Sequence, residues 1–199
     1  MSYSIAICTF NGQEYLSQQL ESILNQTVPP NEIVLCDDGS IDDTLSIAQN
    51  ISLKYPNVTW QIISNTINLG YTKNFEKAIS LCTSEIIILS DQDDVWLPNK
   101  ADKLISFLKK SGKSVVFSNA KLVDSNLFDL KKSMFETIYF IGQEQDLFYK
   151  KHFASELFLH RYIATGSTMA FYKKQVLDFF PIPTNNIYIH DSGFAKCAA

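Results

Sequence analysis

Short apolar segments alternate with amphipathic ones from residue 3 to residue 119, and this alternation constrains the fold more than any other feature. The apolar segments are rich in β-branched residues, which is typical of buried strands. They cover residues 3–10, 32–38, 58–64, 85–90 and 114–119. The segments between them have helical periodicity and cover residues 14–25, 40–55, 70–82 and 99–111. Because consecutive parallel strands need crossover connections, this order predicts an α/β fold with a mostly parallel central sheet and helices on both faces.

The rest of the chain is less regular. We expect a loop or excursion over 124–144, a helix over 145–162, a strand over 164–172 entered through a glycine turn, and a short helix over 173–180. The sequence contains no internal repeat and no low-complexity linker, so a single domain is predicted.

Composition argues against several functional classes. The net charge is −4, with 17 basic and 21 acidic side chains and no basic run, which argues against a nucleic-acid groove. The apolar runs are far shorter than a membrane span, and the amino terminus lacks the pattern of a secretory signal. Cys8, Cys36, Cys82 and Cys197 lack metal-site spacing, so we expect reduced thiols in a cytoplasmic protein.

Polar residues follow each of the first four predicted strands. The clusters are TFNG at 9–12, DDGS at 37–40, SNTINLG at 64–70 and SDQDD at 90–94. The carboxyl ends of parallel strands meet at one edge of a sheet, where α/β folds bind ligands. The four clusters therefore predict one binding site at that edge. Neither a GxGxxG fingerprint nor a P-loop is present, so the common dinucleotide and P-loop sites are not expected.

The acidic cluster Asp91, Asp93 and Asp94 is open to two interpretations. Closely spaced carboxylates repel each other unless a cation compensates them, and Mg²⁺ or Mn²⁺ typically binds one or two carboxylates together with phosphate oxygens and water. The alternative is a solvated acidic turn in which Asp94 caps the following helix. Trp96 is expected to pack behind the loop rather than to contact substrate.

Other residues at this edge also have both a binding and a structural interpretation. Asp37 and Asp38 could accept hydrogen bonds from a base or a ribose, or serve only the turn. Thr9 and Asn11 could contact a nucleotide, or belong to a plain strand-to-helix turn. Lys73 could face an anion or be a solvated lysine. The expected N-cap of the helix over 40–55 is Ser40 or Asp42.

Near the carboxyl end, His190 and Asp191 follow an apolar segment. The pair could supply a general base, or Asp191 could cap a helix.

In this order and spacing, TFNG, DDGS, NLG, SDQDDVW, GSTMAF and HD resemble the motifs of the family 2 inverting glycosyltransferases with the GT-A fold. The form SDQDDVWLP is most similar to their bacterial rhamnosyltransferase-like branch. The resemblance covers residues 3–195 and implies a single GT-A nucleotide-diphospho-sugar transferase domain over 1–199. It divides this domain into a nucleotide-binding half over 1–120 and an acceptor-side half over 121–199. Relatives usually continue further, which leaves three alternatives: a catalytic core without its C-terminal extension, a natural short form, or a truncated gene product.

The resemblance assigns a role to each matching residue. The resemblance assigns nucleotide contacts to Thr9, Asn11, Asp37, Asp38, Lys73 and Asp91. Asp91 and Asp93 match the metal-binding signature, with Mg²⁺ or Mn²⁺ as the cofactor. The resemblance assigns Gly166, Ser167 and His190 to the acceptor side of the site. Asp191 matches the catalytic base that deprotonates the acceptor hydroxyl.

The implied enzyme is a metal-dependent inverting glycosyltransferase. It moves a sugar, with rhamnose as one candidate, from a dTDP or UDP donor to a hydroxyl of a growing surface polysaccharide or glycolipid. The implied location is the cytoplasm, with peripheral association at the inner face of the membrane. The alternative is a degenerate domain that binds nucleotide-sugar without transfer, because HDSGFAKCAA departs from the aromatic residues that commonly follow the His-Asp pair. A receiver-like signalling domain fits less well, since the acids follow the second and fourth strands.

Overall fold

A six-stranded sheet forms the centre of the computed structural model, which describes residues 2–150 and 163–182. The strands in these ranges are β1 (Tyr3–Thr9), β2 (Glu32–Asp37), β3 (Thr59–Ser64), β4 (Ile86–Ser90), β5 (Val115–Phe117), β6 (Lys121–Val123), β7 (Asp129–Ser133) and β8 (Met169–Tyr172). The order in the central sheet is β3-β2-β1-β4-β8-β5. The first four of these pair in parallel, whereas β8 runs antiparallel to both of its neighbours. The predicted mostly parallel sheet is confirmed.

The helices of the first part of the chain lie where the sequence predicts them. The helices in the described ranges are α1 (Leu16–Leu24), α2 (Thr44–Lys54), α3 (Tyr71–Leu81), α4 (Lys100–Ser111), α5 (Met134–Thr137), α6 (Gln143–Lys150) and α7 (Lys173–Leu177). The first four each fall within the segment predicted for them. Helix α6 overlaps the start of the helix predicted over 145–162, and residues 151–162 lie outside the described ranges.

Alternation along the strands divides the core into two layers, one on each face of the sheet. In β1, Ile5 and Ile7 pack with buried residues of α1, α2 and α4. Ala6 and Cys8 point the other way and pack with α3 and with residues that follow β5. Because both faces are covered by helices, the central strands carry nearly continuous apolar runs, as the sequence shows.

The segment 124–144, predicted as a loop, contains regular structure, so that prediction is wrong in part. Strand β7 pairs antiparallel with β6 in a separate two-stranded sheet. Helix α5 follows at once, and Ser133 and Glu136 form a capping box at its start. The S-x-x-E spacing of that box was visible in the sequence. Strand β7 was not, because its residues are mostly exposed and show no apolar alternation.

The predicted cap of α2 is also wrong. Its N-cap residue is Asp43, which makes no capping hydrogen bond through its side chain. Ser40 instead donates its hydroxyl to Asp37. The Asp42 carboxylate does accept the backbone N–H of Thr44 at 3.0 Å, so it supports the first turn without being the cap.

Two expectations from composition have outcomes in the described ranges. Cys8, Cys36 and Cys82 are free thiols, while Cys197 lies outside those ranges. Across residues 2–150 and 163–182, no helix has both the length and the apolar character that crossing a bilayer requires.

Candidate functional site

The polar strand ends meet at one edge of the central sheet. Thr9 of β1 is in register with Asp37 of β2, and Asp37 is in register with Ser64 of β3. On the other side of β1, Ile7 is in register with Ser90, the last residue of β4. The antiparallel strand β8 begins at this same edge, after a short 3₁₀ helix at Gly166–Thr168 that we call the glycine turn. The predicted convergence of the clusters is therefore confirmed.

The Asp37 carboxylate holds the turn after β2 together. It accepts the Thr9 hydroxyl at 2.8 Å and the backbone N–H groups of Gly39 and Ser40 at 3.2 and 2.9 Å. Gly39 has a φ of 87°, a backbone conformation that a glycine adopts without strain. Asp37 is fully buried, so this carboxylate shapes the edge from inside the protein.

Asp38 fixes the loop that connects β3 to α3. Its Oδ1 accepts the Asn65 side-chain amide and the Leu69 backbone N–H, both at 2.8 Å, and its Oδ2 accepts the Gly70 backbone N–H at 2.9 Å. Only 4% of the residue is exposed. A carboxylate has about four lone-pair sites, so these three bonds leave room for one more hydrogen-bond donor.

Asn65 connects Asp38 to helix α3. Its amide also donates to the Asn74 side chain at 2.9 Å, and its oxygen accepts the Lys77 ammonium at 2.6 Å. Lys77 is thus the lysine of α3 that reaches the strand-end network, and sequence reasoning missed it. Lys73, the predicted lysine, bonds to Glu76 at 2.7 Å instead.

Asn11 joins the loop after β1 to the DDGS segment. Its backbone N–H donates to the Ser40 hydroxyl at 2.8 Å, and its side-chain oxygen accepts the Ile41 N–H at 3.0 Å. Asn11 adopts a φ of 48°, which asparagine tolerates better than most residues. We call Asp37–Ser40, together with Thr9 and Asn11, the DDGS corner.

The loop after β4, residues 91–94, is bonded to the loop after β1 by Gln92. The Gln92 side chain accepts the Phe10 N–H at 2.9 Å and donates to the Phe10 carbonyl at 3.2 Å. A Cβ on Gly12 would overlap the Gln92 side-chain amide, so that amide would have to move. Gln92 therefore joins the acidic loop, as we call residues 91–94, to the DDGS corner. No local sequence pattern indicates this contact.

The chain after the acidic loop is anchored on α1 and the residues that follow it. Trp96 is 3% exposed, and its backbone N–H donates to the Ser22 hydroxyl at 2.9 Å. Gln26 donates to the Leu97 carbonyl at 2.8 Å. The predicted packing of Trp96 behind the loop is confirmed.

The carboxylates of the acidic loop lie toward solvent. Asp93 is exposed, and Asp91 and Asp94 are half-buried. Partial desolvation, and then the neighbouring charge of Asp94, raise the pKa of Asp93. Helix α4 has Asn99 as its N-cap residue, so the alternative in which Asp94 caps this helix is wrong.

A divalent cation fits the acidic loop as a partly protein-bound ion. Within the described ranges, no three His, Cys, Asp or Glu side chains converge on one point. Mg²⁺ and Mn²⁺ do not require such a cage, since they commonly bind one or two carboxylates and complete their shells with phosphate oxygens and water. The pKa of Asp93 is raised first by desolvation and then by the charge of Asp94, and a cation would offset that second effect.

Lys100, at the start of α4, connects the acidic-loop side of the site to the glycine turn. Its ammonium donates to the Ser167 carbonyl at 2.6 Å and lies 4.0 Å from the centre of the Trp96 ring. Gly166 and Ser167 are both buried. His190 and Asp191 lie outside the described ranges, so their predicted roles stay predictions.

Comparison with known sequences assigns the chain to a family. The family model described as Glycosyl transferase family 2 matches residues 4–178. The dTDP-rhamnosyl transferase RfbG of Shigella flexneri is 34% identical over 124 residues, which are 61% of this chain and 40% of that protein. The chain spans less than half the length of the first curated relatives that it matches.

Comparison with solved structures gives the same fold. Staphylococcus aureus TarS 1–349, solved in complex with UDP-GlcNAc, superposes with a TM-score of 0.71 at 20% identity, over 100% of this chain and 53% of that one. The mannosyltransferase PcManGT of Pyrobaculum calidifontis, solved with GDP-Man and Mn²⁺, has a TM-score of 0.70 at 18% identity, over 96% and 49%. The predicted GT-A fold is confirmed, and because the family model matches most of its length, the chain belongs to glycosyl transferase family 2.

Proposed function

We propose that this chain is the catalytic domain of a metal-dependent inverting glycosyltransferase. It takes a sugar from a UDP or dTDP donor and transfers it to a hydroxyl of a saccharide or a lipid-linked glycan. The observation that carries the proposal is the junction at Gln92. Its two hydrogen bonds to Phe10 join the acidic loop to the DDGS corner, so a nucleoside side and a diphosphate side share one edge.

The DDGS corner suits the nucleoside. Asp38 is held in place by three internal donors and keeps the capacity for one more, which a base N–H or a ribose hydroxyl could provide. Thr9, Asn11 and Asp37 build the wall beside it, and Lys73 would have to leave Glu76 to contact the nucleotide. Pre-formed hydrogen bonds of this kind reduce the ordering cost of binding.

The acidic loop suits the diphosphate and its cation. Asp91 and Asp93 would hold Mg²⁺ or Mn²⁺, with Asp91 also facing the nucleotide. Such an ion neutralises the charge that develops on a leaving diphosphate. The presence of Mn²⁺ with GDP-Man in PcManGT supports this part of the proposal.

The proposed base is Asp191, with Gly166, Ser167 and His190 on the acceptor side. Asp191 takes the proton of the acceptor hydroxyl. The acceptor oxygen bonds to the anomeric carbon while the bond from that carbon to the diphosphate oxygen breaks, and the electron pair leaves with the diphosphate. Attack opposite the leaving group inverts the configuration, and no covalent enzyme intermediate forms.

Finer features of the proposal rest on similarity. Rhamnose is a candidate sugar because RfbG, 34% identical in the aligned region, is a dTDP-rhamnosyl transferase. The proposed acceptor is a growing surface polysaccharide or glycolipid, and the proposed location of the reaction is the inner face of the membrane. The nucleotide-binding half would cover 1–120 and the acceptor-side half 121–199, although β8 of the second half lies within the central sheet.

Calorimetric titration with a panel of UDP and dTDP sugars, with and without Mn²⁺, tests the proposal. We expect Mn²⁺-dependent binding of one nucleotide class. Absence of metal-linked binding across the panel would refute the proposal. Asp191→Asn should keep that binding and lose transfer, and unchanged transfer would exclude Asp191 as the base.

The same experiment separates an enzyme from a degenerate nucleotide-sugar-binding domain. Slow hydrolysis of the bound sugar donor, measured as free nucleoside diphosphate, is expected of a working site. Tight binding without hydrolysis and without transfer to any offered acceptor would favour the degenerate domain.

A further inference from the structure

Lys100 is a half-buried cation that contacts two parts of the site. Its ammonium donates to the Ser167 carbonyl at 2.6 Å, and it lies 4.0 Å from the centre of the buried Trp96 ring. Through these two contacts a single side chain reaches the glycine turn and the segment that follows the acidic loop. Lys100 and Ser167 are 67 residues apart in sequence.

The surroundings of Lys100 disfavour its charge. Burial lowers the pKa of its ammonium to about 8, and the carboxylates of Asp94 and Asp91 oppose that shift. A partly buried ammonium is costly unless its charge is used, and an apolar side chain of similar length would fill the same space. Lys100 therefore acts through its charge and its hydrogen bond, in addition to its packing.

We propose that Lys100 is a positioning residue that ties the glycine turn to the segment after the acidic loop and sets how strongly that loop attracts a cation. The hydrogen bond to Ser167 holds the turn, while the ammonium partly balances Asp91 and Asp94. This inference rests on the proposed function, because it takes the acidic loop to be the cation-binding side and the glycine turn to be the acceptor side.

The two contributions of Lys100 have opposite signs, which makes them separable. Removing the ammonium frees the Ser167 carbonyl and loosens the glycine turn. The same change removes a positive charge that competes with a divalent ion for the carboxylates, so it strengthens cation binding. A residue that only stabilised the fold would weaken both properties when replaced.

The experiment compares Lys100→Met with Lys100→Arg in the whole chain. Lys103→Met is the matched control, since Lys103 is an exposed lysine on the same helix. The first readout is hydrogen exchange over 165–169, where the Thr168 N–H bonds to the Thr165 carbonyl at 2.9 Å. The second is the dissociation constant of Mn²⁺ alone, measured by titration.

For Lys100→Met we expect exchange over 165–169 to accelerate at least about tenfold. We also expect Mn²⁺ to bind about fivefold more tightly, given the Coulomb repulsion between an ammonium and a divalent ion near the surface. Lys100→Arg should stay close to the wild type in both readouts because it keeps the charge and a donor. Lys103→Met should change neither readout.

Unchanged exchange in Lys100→Met would overturn the tie between Lys100 and the glycine turn. Weaker Mn²⁺ binding together with faster exchange would also overturn the proposal, since it would show general loosening. If the wild type bound neither Mn²⁺ nor nucleotide, the proposed function would fail and the tuning of the cation site with it. The exchange readout would then still decide whether Lys100 holds the turn.

Discussion

The DDGS corner and the acidic loop carry similar sequences at the same sheet edge, yet the protein treats their carboxylates differently. Asp37 and Asp38 are buried and accept hydrogen bonds from neighbouring side chains and backbone N–H groups. Asp93 is exposed, and its pKa is raised by desolvation and by Asp94. A carboxylate with internal donors belongs to the scaffold, whereas one with an unrelieved charge is suited to an added cation. Within one site, the buried carboxylates therefore set the shape, and the exposed carboxylate supplies charge.

The largest expected effect comes from the scaffold side. Asp38→Asn should lower the free energy of unfolding by about 2–4 kcal/mol, because it removes a buried charge and turns an amide N–H₂ toward a backbone donor. That donor is the N–H of Leu69 if the N–H₂ replaces Oδ1, and the N–H of Gly70 if it replaces Oδ2. Urea unfolding measures the change. A loss below about 1 kcal/mol would show that Asp38 is not part of the scaffold.

The next effect tests the junction between the two regions. Gly12→Ala places a Cβ where the Gln92 amide sits, so Gln92 must leave Phe10. The expected cost is about 1–2 kcal/mol for the two lost hydrogen bonds. In a Gln92→Ala background the same substitution should cost less than about 0.5 kcal/mol. Equal costs in both backgrounds would show that the junction does not depend on this contact.

The two lysines of α3 sharpen the comparison further. Lys77→Met should lower the free energy of unfolding by about 1 kcal/mol, because Asn65 loses a charged donor in a mostly buried network. Lys73→Met should cost no more than about 0.5 kcal/mol, since its ion pair with Glu76 is partly exposed. Lys73→Met should instead weaken nucleotide binding. A larger stability loss for Lys73 would reverse these roles.

The smallest effect on stability is expected in the acidic loop. A carboxyl with a raised pKa binds its proton more tightly in the folded chain, so the wild type loses a little stability as pH rises through that pKa. Asp93→Asn removes this loss and should be as stable as the wild type, or slightly more stable, at neutral pH. Unfolding curves across acidic to neutral pH provide the measurement. A destabilised variant at neutral pH would assign Asp93 to the scaffold.

Local patterns predict much of the fold. The alternation up to residue 119 places the first four helices and five strands because most of them bury a regular apolar face. The insertion of β8 between β4 and β5 is different, since Met169–Tyr172 is an apolar strand whose partners are set by long-range packing. The exposed strand β7 has no apolar alternation to reveal it.

The sequence predicts which residues lie at the site, but it predicts only part of the role of each residue. Strand order brings Asp37, Asp38 and Asp91 to one edge, as the sequence indicates. The internal donors to Asp38 come from the segment around Asn65 and Leu69, and no local sequence pattern predicts these hydrogen bonds. Lys100 follows Trp96 by four positions, and that spacing was the one available signal for their contact.

The central claim is that the acidic loop supplies charge to a nucleotide site whose shape is set by the DDGS corner. Its most direct test is the dissociation constant of UDP, or of dTDP if that binds better, measured at rising Mn²⁺ in the wild type and in Asp93→Asn. We predict that Mn²⁺ tightens nucleotide binding at least about tenfold in the wild type, the effect of a coupling free energy near 1.4 kcal/mol, and has little effect in the variant. The same Mn²⁺ dependence in both proteins, or none in the wild type, would contradict the account.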